Sequence, residues 1–126
     1  MGQQQLLLIV LGVIVVGIAI VVGINLFNAS AVSANRDGVI SDLNNLGAMA
    51  QSFYKKPLSM GGGNNTFTEW TLPTGLDSTA NGTYSATVAA QSVTIVGVGT
   101  ETGEGGNPVQ ATAVVSPTTI TTTVNY

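Results

Sequence analysis

The first apolar stretch of the chain has no period at all. Leu6 to Ile24 is an unbroken run of 19 residues drawn only from Leu, Ile, Val, Ala and Gly. A helix greasy on every side must be enclosed on every side. At about 1.5 Å per residue the run falls just short of the ~30 Å hydrocarbon core of a bilayer. Phe27, Ala29, Ala31 and Val32 carry the apolar character past Asn25 and Asn28. Its many β-branched residues lower helix propensity in water. In lipid or in a protein interior that handicap matters less, because a helix satisfies every backbone polar group internally.

The pattern then becomes one-sided. From Val39 the apolar positions are Leu43, Leu46, Ala50 and Phe53, in steps of four and three, which make one stripe of a helix. Asn35, Asp37, Ser41, Asp42, Asn45 and Ser52 are assigned to the opposite face. No proline or turn signal separates rod from stripe, so one helix is predicted from about Gln4 to Tyr54, roughly 75 Å long. Pro57 ends it, since a residue before proline avoids the α region. Lys55 and Lys56 suit the negative end of the helix dipole.

"SMGGGNNTF" reads as a loop, and "TFTEWTL" (66–72) as a short strand or loop. Four segments rich in Val, Thr and Tyr follow: 82–90, 91–100, 109–115 and 118–126, with a turn at 102–108. Short spacings with turn signals predict an antiparallel meander. One face would carry Tyr84, Ala86, Val88, Val93, Ile95, Ala111, Ala113 and Val115, the other mostly Ser, Thr and Gln. A sheet with one apolar face needs a cover, and the striped helix supplies it. The fold class is therefore α+β: a long N-terminal helix on a small antiparallel sheet of about four strands. The chain divides into an apolar helix (1–30), an amphipathic helix half (31–56), a loop region (57–81) and the sheet (82–126), with 31–126 forming one head.

Charge and chemistry narrow the function by exclusion. The chain has 126 residues and a formal net charge of −3, with Arg36, Lys55 and Lys56 its only cations. That leaves no basic track for nucleic acid. Without cysteine or histidine there are no disulfides, thiolate metal sites or imidazole base. Ser and Thr abound, but no familiar base can activate one. Glu101 and Glu104 on their Gly-rich turn bear a faint likeness to a calcium loop but lack the ligand spacing of one. Trp70 is expected to pack in the core. Asn28-Ala29-Ser30, Asn64-Asn65-Thr66 and Asn81-Gly82-Thr83 are sequons of a kind that chance produces in an Asn- and Thr-rich chain. No enzymatic activity, cofactor or metal is expected.

A charge-free rod running into an amphipathic helix over a small sheet resembles a type IV pilin. The resemblance rests on the motif "GQQQLLLIVLG" and its continuation to "INLFNASAVSANRDGVISDLNNLGAMAQSFY". It implies a ladle-shaped subunit held first in the inner membrane and then assembled with copies of itself into an extracellular helical filament. The partners it implies are prepilin peptidase and the pilus assembly machinery. Cleavage would fall after Gly2 of the Met1-Gly2 leader and leave Gln3 as the methylated first residue. Leu7 stands where the family typically has Glu, which leaves Gln3 to Gln5 to satisfy the neighbouring amine. The rod has no helix-breaking proline, so Gly12, Gly17 and Gly23 are its soft points. The filament core would be Leu6, Leu7, Leu8, Ile9, Val10, Leu11, Val13, Ile14, Val15, Val16, Ile18, Ile20, Val21, Val22 and Ile24. The alternatives are a monomeric membrane-anchored extracytoplasmic protein and a minor pseudopilin of a secretion or uptake system. A cleaved secretory signal fits less well, although Ala29-x-Ala31 matches its cleavage pattern, because the apolar run is too long.

Overall fold

The computed structural model describes residues 2–126, Glu104 by its backbone alone. Met1, part of the expected leader, lies outside the described residues. The chain forms two compact units, Met1–Ala31 and Val32–Tyr126. A single helix, α1 (Gly2–Lys55), supplies the described residues of the first unit and begins the second.

In the second unit α1 packs on a five-stranded antiparallel sheet ordered β1 (Ser78–Thr79), β2 (Gly82–Val88), β3 (Val93–Thr102), β4 (Pro108–Val115) and β5 (Ile120–Val124). The four longer strands follow the alternating segments. The two-residue β1 comes from the stretch read as loop, because a pair of residues carries no periodicity. It is held by register, with Ser78 opposite Thr83 and Thr79 opposite Gly82.

The core lies between the helix stripe and the inner face of the sheet. Val39, Leu43, Leu46 and Ala50 are buried against Tyr84, Val93, Ile95, Val109, Ala111, Ala113 and Val115. Phe53, Ala86, Val88 and Ile120 are half-buried at its margin. Phe67 and Trp70 are buried too, both from the irregular stretch before β1. Trp70 is thus a core residue, as expected. The Phe67 and Tyr54 rings stack at 4.7 Å between centroids, which ties that stretch to the helix end. On β3, small residues let the helix approach. A Cβ on Gly97 would meet the Tyr84 ring at 2.7 Å and Val39 at 2.9 Å.

The "GGGNN" loop has a structural task. A helix end leaves carbonyls without intrahelical partners. Here Gly63, Asn65 and Asn64 turn back and donate their backbone N–H groups to the carbonyls of Phe53, Tyr54 and Lys56. That return needs left-handed backbone at Gly61, Asn64 and Asn65, which glycine and asparagine adopt at least cost.

Leu43 is fully buried at the centre of the stripe. Leu43→Asp places a carboxylate in apolar contact and is expected to cost several kcal/mol. Thermal or urea unfolding of a chain lacking residues 1–28 checks this, and an unchanged melting temperature would refute the packing described.

Candidate functional site

Two features stand out: the exposed rod, and a polar clasp on the packed half of α1.

Every large apolar side chain from Leu6 to Phe27 is between 51 and 77 % exposed. Each would gain roughly 1.5–3 kcal/mol on full burial, so the rod is an exposed apolar surface of unusual extent for so small a chain. It is long and apolar enough to cross a membrane, and none of its most apolar window is buried within the chain. Gly2 and Gln3 are exposed in the first turn of α1. A Cβ added at Gly12, Gly17 or Gly23 meets nothing within 4 Å, so no contact inside the chain calls for glycine there.

The clasp corrects the assignment of Asn35 and Asp42 to the face opposite the stripe. Asn35 lies four residues before Val39, and Asp42 four before Leu46, so both share the apolar side of the helix. Asn35 is buried, and its side chain is fully occupied. Its Oδ1 accepts the backbone N–H groups of Thr100 and Glu101 at 3.1 and 3.2 Å. Its Nδ2 donates to the Asn81 carbonyl at 2.8 Å and to Thr100 Oγ1 at 3.3 Å. The ladder between β3 and β4 is irregular at this place, shifting register between Val98 and Thr102. One buried amide thus satisfies two strand N–H groups at the irregularity. A Cβ on Gly99 would strike the Asn35 amide oxygen, so glycine makes room for it.

Asp42 is half-buried and gathers three donors on one oxygen. Tyr84 donates its hydroxyl to Oδ2 at 2.6 Å, Thr79 at 2.8 Å, and Asn81 donates its side-chain amide at 3.0 Å. Burial alone would push the Asp42 carboxyl up, but the bonds from Tyr84, Asn81 and Thr79 outweigh it and hold the group below its ordinary value of 3.8. Burial first, and then the bond to Asp42, push the Tyr84 phenol well above its ordinary 10.0. Asn81 belongs to a sequon, but its amide nitrogen is engaged with Asp42.

Three donors converging on Asp42 Oδ2 fix this side chain against the turn between β1 and β2 and against β2. A groove of about 600 Å³ runs beside the clasp, lined by Asp42, Met49, Phe53, Lys56, Pro73 and Leu76 among others. Asp37, Glu69, Asp77 and Glu101 are exposed and dispersed. Among the described residues no group of three or more acidic side chains gathers that could hold a metal ion. Periodicity misses the clasp because it tracks apolar positions. The one signal was spacing, since Asn35 and Asp42 fall on the four-residue steps of the stripe.

The Asp42 shift fixes the sign of a pH effect. A depressed folded-state pKa contributes stability above 3.8, which is lost as pH falls through the lower folded value. A raised Tyr84 value contributes stability below 10.0, which is lost as pH rises through the folded value. Unfolding of the chain lacking residues 1–28 is expected to weaken at both extremes. Asp42→Asn should flatten the acid limb, and Tyr84→Phe should cost about 1.5–3 kcal/mol, the range for a bond to a charged group. Asn35→Ala, which strips two strand N–H groups of their acceptor, is expected to cost on the order of 1–3 kcal/mol. Equal urea midpoints for Asn35→Ala and the parent chain would show that solvent replaces the amide there.

Set against known protein families, curated proteins and solved structures, the chain matches none, so the reading of its function rests on its own residues.

Proposed function

We propose that this chain is the structural subunit of an extracellular, type IV pilus-like helical filament, assembled through the first half of α1. The observation that carries the reading is the all-round exposure of the apolar side chains from Leu6 to Phe27, on the same helix whose second half packs on the sheet. A surface apolar on every side is covered by lipid or by a bundle of like rods. Copies offset along an axis meet through heterologous contacts that do not close, which builds a helical polymer. The inner membrane holds the subunit before assembly. Prepilin peptidase cuts after Gly2, and the pilus machinery extracts the rod.

One feature favours the filament over a permanent anchor. Between Ile24 and Arg36 there is no Lys, Arg, Trp or Tyr, the residues that pin a membrane span at the interface. The three glycines of the rod, free of contacts within the chain, also suit close approach by neighbouring helices. In the alternative readings, an anchored monomer or a minor pseudopilin, the same rod stays in lipid or joins only a short assembly.

Val15→Asp separates these readings. A carboxylate at mid-rod would sit among apolar neighbours with no partner, a cost of several kcal/mol per subunit. Cells carrying it are expected to show no surface filaments of this subunit by electron microscopy, while the Val32–Tyr126 unit keeps its fold. Normal filaments would show that the rod is not the polymer core, and the anchored monomer would then lead.

A further inference from the structure

The two margins of the sheet are open in complementary ways. In an antiparallel ladder, hydrogen-bonded residue pairs alternate with pairs whose N–H and C=O groups point away from each other. On the β5 side, Ser116 bonds to Thr119 and Asn125 to Gln110. With Val114 opposite Thr121 and Thr112 opposite Thr123, the bonded β5 residues are Thr121 and Thr123. The backbone groups of Ile120, Thr122 and Val124 therefore point outward, where no further strand lies among the described residues. On the other margin Ala89 bonds to Ser92, and Tyr84 donates outward to Asp77. By the same alternation the backbone groups of Ala86 and Val88 point outward beyond the end of β1.

Neither margin carries the charges or prolines that usually guard an edge, although chain bounds the β2 margin on both sides of Ala86 and Val88, where Tyr84 donates its N–H to the Asp77 carbonyl and Phe67 donates its N–H to the Ala90 carbonyl. Sheet edges in monomers are blunted by charge, proline or bulges. Residues 118–126 and 82–90 contain no charged residue and no proline. The outward-pointing residues are also all on the inner face, with Ala86, Val88 and Ile120 packed only at the margin of the core. Arg36 lines a cleft of about 310 Å³ with Val124, Asn125 and Tyr126. Its Nε is buried and meets no hydrogen-bond partner among the described residues.

We propose that β5 of one copy pairs with the short unpaired Ala86–Val88 stretch of the β2 edge, between the chain bonded at Tyr84 and at Ala90, in a second copy of this chain, so that the sheets join edge to edge. The polarity fits. β2 to β5 are four strands of alternating direction, so β2 and β5 run oppositely. A second copy in the same orientation therefore sets its β2 antiparallel to β5, and the alternation continues across the seam. Inner-face residues oppose inner-face residues: Ile120 comes opposite the neighbour's Val88 if Thr121 faces Thr87, and Val124 opposite its Ala86 if Thr123 does. The preference for this head-to-tail pairing over a two-fold β5–β5 pairing rests on the filament reading, because only the former repeats without closing.

The absence of cysteine makes the test clean. Thr87, Thr121 and Thr123 are exposed on the outer face. Across the seam, Thr87 would oppose Thr121 or Thr123 as a close, non-hydrogen-bonded pair, with Cα atoms about 4.5 Å apart, within disulfide reach. Full-length Thr87→Cys/Thr121→Cys and Thr87→Cys/Thr123→Cys chains, with each single variant, are oxidised mildly in cell envelopes and in any sheared surface fraction. The products are resolved on a non-reducing gel, and filaments are scored separately by electron microscopy. The proposal expects a ladder of dimers, trimers and higher species from one double variant and none from the single variants. Dimers from Thr121→Cys or Thr123→Cys alone would overturn it in favour of two-fold pairing. Filaments without a ladder would overturn the edge contact and leave the filament reading intact. A ladder without filaments would do the reverse, and the absence of both would remove both.

Discussion

The inner face of the sheet has one main cover, the stripe of α1 from Val39 to Ala50, and the head depends on that contact. Val93, Ile95, Ala111, Ala113 and Val115 would otherwise face water across the middle of the sheet. The two surfaces are matched in shape as well as in polarity. Alanines on β4 and glycine on β3 leave room for Val39, Leu43 and Leu46. Such interiors are packed as densely as crystals of small molecules, so a change of one methyl group is felt.

Apolar contact alone would let the helix slide along the sheet. The polar clasp opposes this. Asn35 reaches the irregular part of β3 and the Asn81 carbonyl, while Asp42 binds Thr79, Asn81 and Tyr84. Moving the helix by one turn would strand these groups without partners, which costs more than their net bonding contributes. Asn81 is held by both residues, so the turn between β1 and β2 is fastened to the helix from two points. That accounts for a strand as short as β1 having a defined place.

The head and the rod present opposite solutions to the same physical demand. In the head, one apolar stripe meets one apolar face within a single chain. In the rod, apolar residues occupy every side of the helix, and covering them requires something outside the chain. The filament reading assigns that cover to other copies. The sheet margins pose a smaller version of the question, with backbone groups that lack a strand partner in place of apolar surface, and the proposed pairing answers it with a second copy as well.

Much of the architecture was legible by counting positions. The unbroken apolar run, the steps of four and three after Val39, and the alternation in four Thr- and Val-rich segments determined the helix, the order of the strands and most of the inner face. Each depends on residues close in sequence, where periodicity reports directly on structure. What tertiary structure alone decided depends on residues far apart. Asn35 and Asp42 belong to the buried side because their partners arrive from 37 to 66 positions along the chain. Phe67 became core because its irregular segment folds back on the helix end, where Phe53 and Tyr54 also serve the loop as acceptors. The free sheet margins likewise emerge only once every strand has taken its neighbour. A polar side chain on an apolar stripe reads as solvent-facing until its partner is known, and no local pattern carries that partner.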